Sequence, residues 1–209
     1  MMLDLTSLSE KLSQDWKEKP DTNETVSSVI IPIFHDPHLG QGLILQQRSV
    51  HLKSHPGQIA FPGGVMEEGD ADLLDCALRE WEEEMGVPRS RLQILGRYAG
   101  LKTRTGYHIT PFVGLYEGEL KFSCNIEEVE RTITLPLQSL FTLPFYALKI
   151  PNRKPEEYVY YFDLEDGLLW GATCEIILRF LKEFAHFDRK PKLVAPNLSQ
   201  PPFLDPKRL

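Results

Sequence analysis

Three glutamates near the middle of the chain have the type and spacing of a divalent-cation site. Glu80, Glu83 and Glu84 lie at positions i, i+3 and i+4 of a segment with helical periodicity, and residues at this spacing share one side of a helix. Carboxylate oxygens are the ligands that hard cations such as Mg²⁺ and Mn²⁺ prefer. The neighbouring Arg79 could pin one of these carboxylates through its guanidinium group. The spacing therefore indicates chemistry that uses a metal ion.

The competing interpretation of this glutamate run is a solvated acidic surface. With Glu82 included, four glutamates occupy the last turn and a half of the helix. There they oppose the negative end of the helix dipole, at a cost of about 0.3–1 kcal/mol each, and like charges at i, i+4 add a similar penalty. This cost favours a metal site at the three clustered carboxylates. Glu82 points away from them on a helical wheel, and we expect no metal-binding role for it.

A helix over Leu73–Met85 must position these glutamates. The apolar residues of this segment fall on one broad stripe that we expect to face the core, namely Leu73, Leu74, Ala77, Leu78, Trp81 and Met85. Asp70 or Asp72 can cap its start, and Gly86 with the following proline ends it.

The remaining periodicity predicts a mixture of strands and helices. Leu5, Leu8, Leu12 and Trp16 indicate a short N-terminal helix, and residues 172–184 indicate a second long helix. Strands are predicted at 26–34, 42–48, 92–98, 107–116 and 158–163, whereas 51–64 carries two prolines and three glycines and is predicted as loop. Without a regular βαβ rhythm, the pattern favours an α+β fold. We expect an N-terminal helix and linker at 1–25, one domain at 26–187, and a proline-rich extended tail at 188–209.

Composition excludes several function classes. The chain has 209 residues, and 23 basic against 30 acidic residues give a net charge of −7, which argues against a nucleic-acid partner. No apolar run approaches the ~20 residues of a membrane helix, and no signal peptide is evident. Three widely spaced cysteines give no disulfide framework, so we expect a cytoplasmic protein. The C-terminal Lys207-Arg208-Leu209 is too poor a peroxisomal address to change this expectation.

The segment from Gly63 to Val87 resembles the Nudix box, the signature of Nudix hydrolases. The second half of the box is matched completely, by Arg79, Glu80, Trp81, Glu83, Glu84, Gly86 and Val87. The front half has eight residues between Asp70 and Arg79, one more than the usual box. That expansion is similar to the coenzyme A pyrophosphatase branch of the family.

An upstream motif is similar to the same branch, whose members show a pattern like LLTxR(S/A)xxxRxxxGxxxFPGG. Here Arg48, Lys53, Gly57 and the run Phe61-Pro62-Gly63-Gly64 keep its spacing. Gln46 stands in place of Thr, and Lys53 in place of Arg, which keeps the charge but loses the bidentate fork. The resemblance extends from about residue 26 to residue 184.

The resemblance implies a Nudix fold, a mixed β-sheet sandwiched between helices, and hydrolysis of a nucleoside diphosphate linked to another group. Coenzyme A and its thioesters are the leading substrates, cut to adenosine 3′,5′-bisphosphate and 4′-phosphopantetheine or its acyl derivative. Mg²⁺ or Mn²⁺ would be held by Glu80, Glu83, Glu84 and Glu67. Arg79 and Glu83 are further assigned catalytic roles.

The substrate would be held by Arg48 and Lys53, natural partners for its 3′-phosphate, and by the backbone of Gly63 and Gly64. For the general base we choose Glu128 over Glu127, because family members often place an acid–Val pair before a stretch like Leu135-Pro136-Leu137. Ile126 and Val129 are predicted as the apolar anchors of this segment.

Two alternatives stay open. The first is a Nudix enzyme for ADP-ribose, nucleoside diphosphate sugars or dinucleotides, since loops decide substrate choice. The second is a non-catalytic Nudix-like binding protein, although such proteins tend to lose the box carboxylates and this chain has all of them. The expected partner is a coenzyme A-like small molecule, without nucleic acid or membrane, and we allow for a homodimer.

Overall fold

The structure is a computed structural model that describes residues 3–15, 23–150 and 156–194. Its helices and strands follow one another in this order: α1 (Leu5–Lys11), β1 (Thr25–Asp36), β2 (Gly40–Arg48), β3 (Ile59–Ala60), β4 (Gly63–Val65), α2 (Leu73–Met85), β5 (Leu92–Arg97), β6 (Leu101–Lys102), β7 (Tyr107–Tyr116), β8 (Val129–Pro136), α3 (Leu137–Leu140), β9 (Phe145–Lys149), β10 (Tyr158–Leu164), β11 (Gly167–Trp170), α4 (Gly171–Phe184) and β12 (Lys192–Val194). A single 3₁₀ turn at Arg89–Arg91 follows α2. The α+β class and the mixed sheet expected from the resemblance are confirmed.

The chain divides into two units, the first ending at Ser139 and the second beginning at Leu140. The first unit holds an eight-stranded mixed sheet with the central order β3-β2-β1-β7-β5. In it β1 and β7 pair in parallel, while β2 pairs antiparallel with both β1 and β8. The second unit holds a four-stranded sheet of order β11-β10-β9-β12, and α4 contacts β10 and β11.

Helix α2 forms over the residues predicted for it. Asp72 caps its start, accepting a 2.9 Å hydrogen bond from the Asp75 amide, and Gly86 ends it in the left-handed conformation at φ 64°. Of the predicted stripe, Leu73, Ala77, Trp81 and Met85 are fully buried, and Leu74 and Leu78 are partly buried. They pack with side chains of the sheet that include Ile30, Phe34, Ile44 and Phe112. This core fixes the orientation of the glutamates on the helix.

Most predicted elements are confirmed, namely α1, β1, β2, α2, β5, β7, β10 and α4. The prediction of an uninterrupted loop at 51–64 is wrong, because β3 and the start of β4 lie there. Strands β8 and β9 were not predicted. Trp16, most of the N-terminal linker, and the tail from residue 195 through Lys207-Arg208-Leu209 lie outside the described residues.

The three cysteines are free thiols, with Cys76 and Cys174 buried and Cys124 half-buried. In the described ranges, every helix is too short or too polar to cross a membrane.

Candidate active site

The glycine pair Gly63-Gly64 lies directly against helix α2. Strand β4 pairs antiparallel with β1, and Gly63 lies opposite Val29 in this pairing. At Gly63, φ is 151°, and a Cβ there would overlap the backbone of Ser28 and Val29. A Cβ at Gly64 would overlap the carboxylate of Glu80. The absence of a side chain at Gly63 therefore allows β4 to pair closely with β1, and its absence at Gly64 lets the Glu80 carboxylate approach the β4 backbone.

Arg79 joins the glutamates of α2 to the loop before the helix. Its guanidinium makes a two-bond contact with Asp70, with Nε to Oδ1 at 2.8 Å and Nη2 to Oδ2 at 3.1 Å. Its Nη1 donates to Glu80 Oε1 and to Glu83 Oε2, both at 2.9 Å. This guanidinium holds the pKa of the Asp70 carboxyl below its ordinary value. Arg79 thus orients Glu80 and Glu83, two of the four candidate metal ligands.

Glu84 points into the protein, and its side chain is only 2% exposed. Its Oε2 accepts a hydrogen bond from the Gly63 amide at 2.9 Å. Burial raises the pKa of Glu84 to about 7, and the Gly63 amide opposes part of that rise. A buried carboxylate that is hard to ionise is typical of a functional site rather than a solvated face.

The two remaining glutamates of the cluster differ in environment. Glu83 is exposed over 54% of its side chain and bonds to Arg79. Burial raises the pKa of Glu80, with Arg79 opposing it and the negative charges of Glu83 and Glu128 adding to it. Of the three glutamates Glu80, Glu83 and Glu84, only Glu83 therefore fits the interpretation as a solvated acidic surface.

Glu128 lies within electrostatic reach of this cluster. The loop that carries it is tied to the end of α2, since the Asn125 amide donates to the Glu84 carbonyl at 3.2 Å. The Ser49 amide donates to the Glu128 carbonyl at 2.8 Å. Glu128 is half-buried, whereas Glu127 is exposed. The loop therefore sets Glu128 closer than Glu127 to the protein interior.

The predicted anchors of that loop are only half right. Val129 is buried, with 1% of its surface exposed, but the prediction for Ile126 is wrong because this side chain is 83% exposed. Ile126 lies within the turn from Asn125 to Glu128, closed by a 3.0 Å hydrogen bond from the Glu128 amide to the Asn125 carbonyl. A turn of this kind displays its central side chains to solvent.

The two predicted phosphate contacts lie in different surroundings. Arg48, at the end of β2, points its Nη1 to within 3.7 Å of Glu84 Oε1. Lys53 is exposed on the loop between β2 and β3, and it makes no hydrogen bond or ion pair with any described residue. Arg48 is thus part of the carboxylate cluster itself.

Glu82 faces away from the cluster, as the helical wheel predicts. Its carboxylate accepts hydrogen bonds from the Arg89 amide and from Arg89 Nε, both at 2.8 Å. Arg89 also bonds to Asp75 at 2.7 Å, so this group braces the outer side of α2.

The donor set suits a hard divalent cation. Three carboxylates converge on Arg79 and the glycine pair, and oxygen donors of this kind match Mg²⁺ or Mn²⁺. Glu67 is exposed on the preceding loop, where its amide donates to Asp70 Oδ2 at 2.8 Å. Over the described ranges, no three carboxylate, imidazole or thiol side chains are already gathered at metal-ligand distances.

Two residues have positions in the site that the sequence does not predict. Asp70 is predicted as a possible helix cap and as the acidic position in the front half of the box, whereas the structure shows its carboxylate bound to Arg79. Gln46 was noticed only as a departure from a motif, yet it is fully buried on β2, two residues before Arg48. Its place directly after the apolar run Leu43–Leu45, two residues from Ile44 on the same strand, is the signal that could have indicated a buried amide.

Comparison with known proteins settles the family. The model of the NUDIX domain matches residues 24–139. The chain is 37% identical over 156 residues to the protein named "Uncharacterized Nudix hydrolase NudL" in Escherichia coli O7:K1, covering 74% of this chain and 80% of that one. The chain belongs to the Nudix hydrolase family. It is an enzyme of the pyrophosphohydrolase class, as its complete set of box carboxylates predicts.

Solved structures agree at the level of the fold. The Nudix hydrolase RenU of M. smegmatis superposes with a TM-score of 0.55 at 13% identity, over 87% of this chain and 97% of that one. A Nudix hydrolase from Nitrosomonas europaea gives a TM-score of 0.53 at 17% identity, over 88% and 85%. At such low identity these similarities support the Nudix fold alone.

Proposed function

We propose that this Nudix hydrolase cleaves the pyrophosphate bond of coenzyme A or its thioesters, with Mg²⁺ or Mn²⁺ as cofactor. The products are adenosine 3′,5′-bisphosphate and 4′-phosphopantetheine or its acyl derivative. One observation carries the substrate assignment. Arg48, from the motif similar to the coenzyme A branch, lies 3.7 Å from Glu84 of the Nudix box, so both motifs serve one site.

The candidate metal ligands are Glu80, Glu83, Glu84 and Glu67. These residues would hold a divalent cation, which would neutralise the pyrophosphate charge and lower the pKa of the attacking water. Arg79 orients Glu80 and Glu83 through Nη1, and the Gly63 amide fixes one oxygen of Glu84. These hydrogen bonds limit the orientations of the three carboxylates before substrate arrives, which reduces reorganisation during the reaction.

Glu128 is the candidate general base. It takes a proton from the attacking water as the new oxygen–phosphorus bond forms, and the bond from that phosphorus to the bridging oxygen breaks. The departing phosphate leaves with the bridging oxygen and its negative charge. Arg48, with the exposed Lys53, supplies positive charge for the substrate's phosphates.

A substrate panel tests this proposal. The purified protein is assayed with coenzyme A, dephospho-coenzyme A, ADP-ribose, NADH and a dinucleoside polyphosphate, with and without Mg²⁺, and products are separated chromatographically. We expect metal-dependent cleavage of coenzyme A, with dephospho-coenzyme A at least about tenfold poorer in kcat/KM, because one charge-assisted phosphate contact is worth about 1.5–3 kcal/mol. Lys53→Ala is expected to reduce the preference in kcat/KM for coenzyme A over dephospho-coenzyme A, because it raises KM for coenzyme A and leaves KM for the dephospho form unchanged.

Other results would redirect the assignment. Equal kcat/KM for coenzyme A and its dephospho form contradicts the proposal that Arg48 and Lys53 bind the 3′-phosphate. A marked preference for ADP-ribose favours the alternative nucleotide pyrophosphatase. Binding without turnover of any compound favours the non-catalytic alternative.

A further inference from the structure

Alternate residues of β2 form a row that leads from the core to the active site. Side chains two apart on a strand share one face, and Ile44, Gln46 and Arg48 occupy such positions. Ile44 lies in the core cluster that includes Trp81 of α2, and Arg48 reaches Glu84. Gln46 lies between them, in a strand section paired on both sides, with Ala60 on one and Thr132 on the other.

Gln46 and Arg48 each carry buried polar atoms that have no hydrogen-bond partner within the part of the chain that the structure describes. These atoms are Gln46 Nε2, Gln46 Oε1 and Arg48 Nε. Gln46 is fully buried, with none of its surface exposed. A buried polar group without a partner costs about 1–3 kcal/mol, and such groups in native proteins call for an explanation, of which a role at a functional site is one.

The unpartnered atoms are mutually complementary. Arg48 Nε carries a proton to donate, Gln46 Oε1 accepts, and Gln46 Nε2 donates. Glu84 Oε1 is an acceptor whose contact with Arg48, at 3.7 Å, is longer than a hydrogen bond. The Gln46 amide is also close enough to Glu84 to offset part of the rise in its pKa. Their donor and acceptor types allow one chain of hydrogen bonds, from Arg48 Nε through the Gln46 amide to Glu84 Oε1.

We propose that Gln46 is a positioning residue that couples Arg48 to Glu84. In this arrangement Gln46 Oε1 accepts from Arg48 Nε, and Gln46 Nε2 donates to Glu84 Oε1. The outer nitrogens of Arg48 then stay free for a substrate phosphate, while Glu84 keeps a fixed orientation for a cation. This inference rests on the proposed function, because it assigns Gln46 to that same site.

A purely structural role for Gln46 has a different consequence. Methionine has a similar volume and no polar group, and volume-conserving swaps in a core are well tolerated. Gln46→Met therefore keeps the packing and removes an amide that lacks partners. If Gln46 contributes to packing alone, this variant is stable and fully active. If Gln46 positions Arg48 and Glu84, the variant is stable but impaired.

The experiment compares Gln46→Met with Gln41→Met in the full chain. Gln41 lies on the same strand and is also buried, but its amide bonds to the backbone of Leu3 away from the site. For each variant, urea unfolding gives stability, initial rates give kcat and KM, and paramagnetic resonance titration gives the Mn²⁺ affinity without substrate.

We expect opposite outcomes for the two glutamines. Gln46→Met keeps or raises the unfolding midpoint, lowers kcat by about 10–100-fold with KM changed less, and weakens Mn²⁺ binding by a similar factor, as for other residues that orient metal ligands. Gln41→Met lowers the midpoint and keeps both kcat and Mn²⁺ affinity. Combining Gln46→Met with Arg48→Lys is expected to lower kcat less than the two separate losses multiplied, since coupled residues are not additive.

Several results would overturn the coupling. One is a Gln46→Met variant with wild-type kcat and Mn²⁺ affinity. Another is a double variant, Gln46→Met with Arg48→Lys, whose loss of kcat equals the product of the two separate losses. If Gln46→Met does not fold, Gln46→Asn serves as the second variant, because its shorter amide cannot reach both partners. A Gln46→Asn variant with wild-type kcat also refutes the coupling. A wild-type protein that hydrolyses no substrate on the panel contradicts the proposed function instead, while the Mn²⁺ titration still tests Gln46.

Discussion

Replacing Glu84 by glutamine separates the proposed metal-binding role of this carboxylate from its effect on stability. Glu84 is 2% exposed, and burial raises its pKa from an ordinary 4.5 to about 7. The folded protein therefore binds this proton more tightly than the unfolded chain does. The free energy of unfolding falls as pH rises between these two values, so the ionised carboxylate destabilises the fold at higher pH.

The pKa difference sets the size of the effect. At about 1.4 kcal/mol per pKa unit, ionising Glu84 lowers the free energy of unfolding by at most roughly 3 kcal/mol at pH 8. In Glu84→Gln this loss disappears, while the amide oxygen can still accept from Gly63. We expect the variant to match wild type near pH 4 and to be more stable at pH 8, although its kcat falls at least 100-fold, or about 3 kcal/mol.

The assay is urea unfolding from pH 4 to pH 8 with a chelator present, paired with initial rates in Mg²⁺. Glu82→Gln is the matched control, since Glu82 bonds to Arg89 outside the cluster. It should keep kcat within about twofold and lose at most about 1 kcal/mol of stability, because this pair is partly exposed. A stability difference between Glu84→Gln and wild type that stays constant with pH would refute the burial argument. Loss of activity in Glu82→Gln equal to that in Glu84→Gln would refute the helical-wheel assignment.

Three further substitutions test the rest of the site. Glu83→Gln should lower kcat at least 100-fold with little change in the urea midpoint, because this side chain is 54% exposed; a large loss of stability would contradict this. Gly64→Ala should displace the Glu80 carboxylate, because this carboxylate occupies the position of the added methyl group. We expect the Mn²⁺ affinity to fall while the fold survives. An unchanged Mn²⁺ affinity would count against Glu80 as a ligand. Glu128→Gln should lower kcat much more than KM and flatten the acid limb of the pH–rate profile, with Glu127→Gln as its near-silent control; full activity with a normal acid limb would assign the base elsewhere.

Local sequence was sufficient to predict the bounds of α2, the helix that holds three of the candidate metal ligands. The bounds of α2 follow from its apolar stripe, from a cap supplied by Asp72 and from the left-handed Gly86, all of which depend on residues within a few positions of each other. The same holds for β7, where the predicted and observed bounds coincide. Strands β3 and β4 were missed because elements of two or three residues are defined by the partner strand that supplies their hydrogen bonds.

The partners of the charged side chains depended on tertiary structure. The spacing of Glu80, Glu83 and Glu84 predicted one cluster, but only the packing of α2 on the sheet buries Glu84 and leaves Glu83 exposed. Arg79 finds Asp70 nine positions earlier because the loop before α2 turns back on the helix. Arg48 meets Glu84 because β2 and α2, distant in sequence, face each other across the core. Sequence periodicity determines which face of a helix or strand a residue occupies. The segment packed against that face determines which groups the side chain contacts, and therefore its pKa.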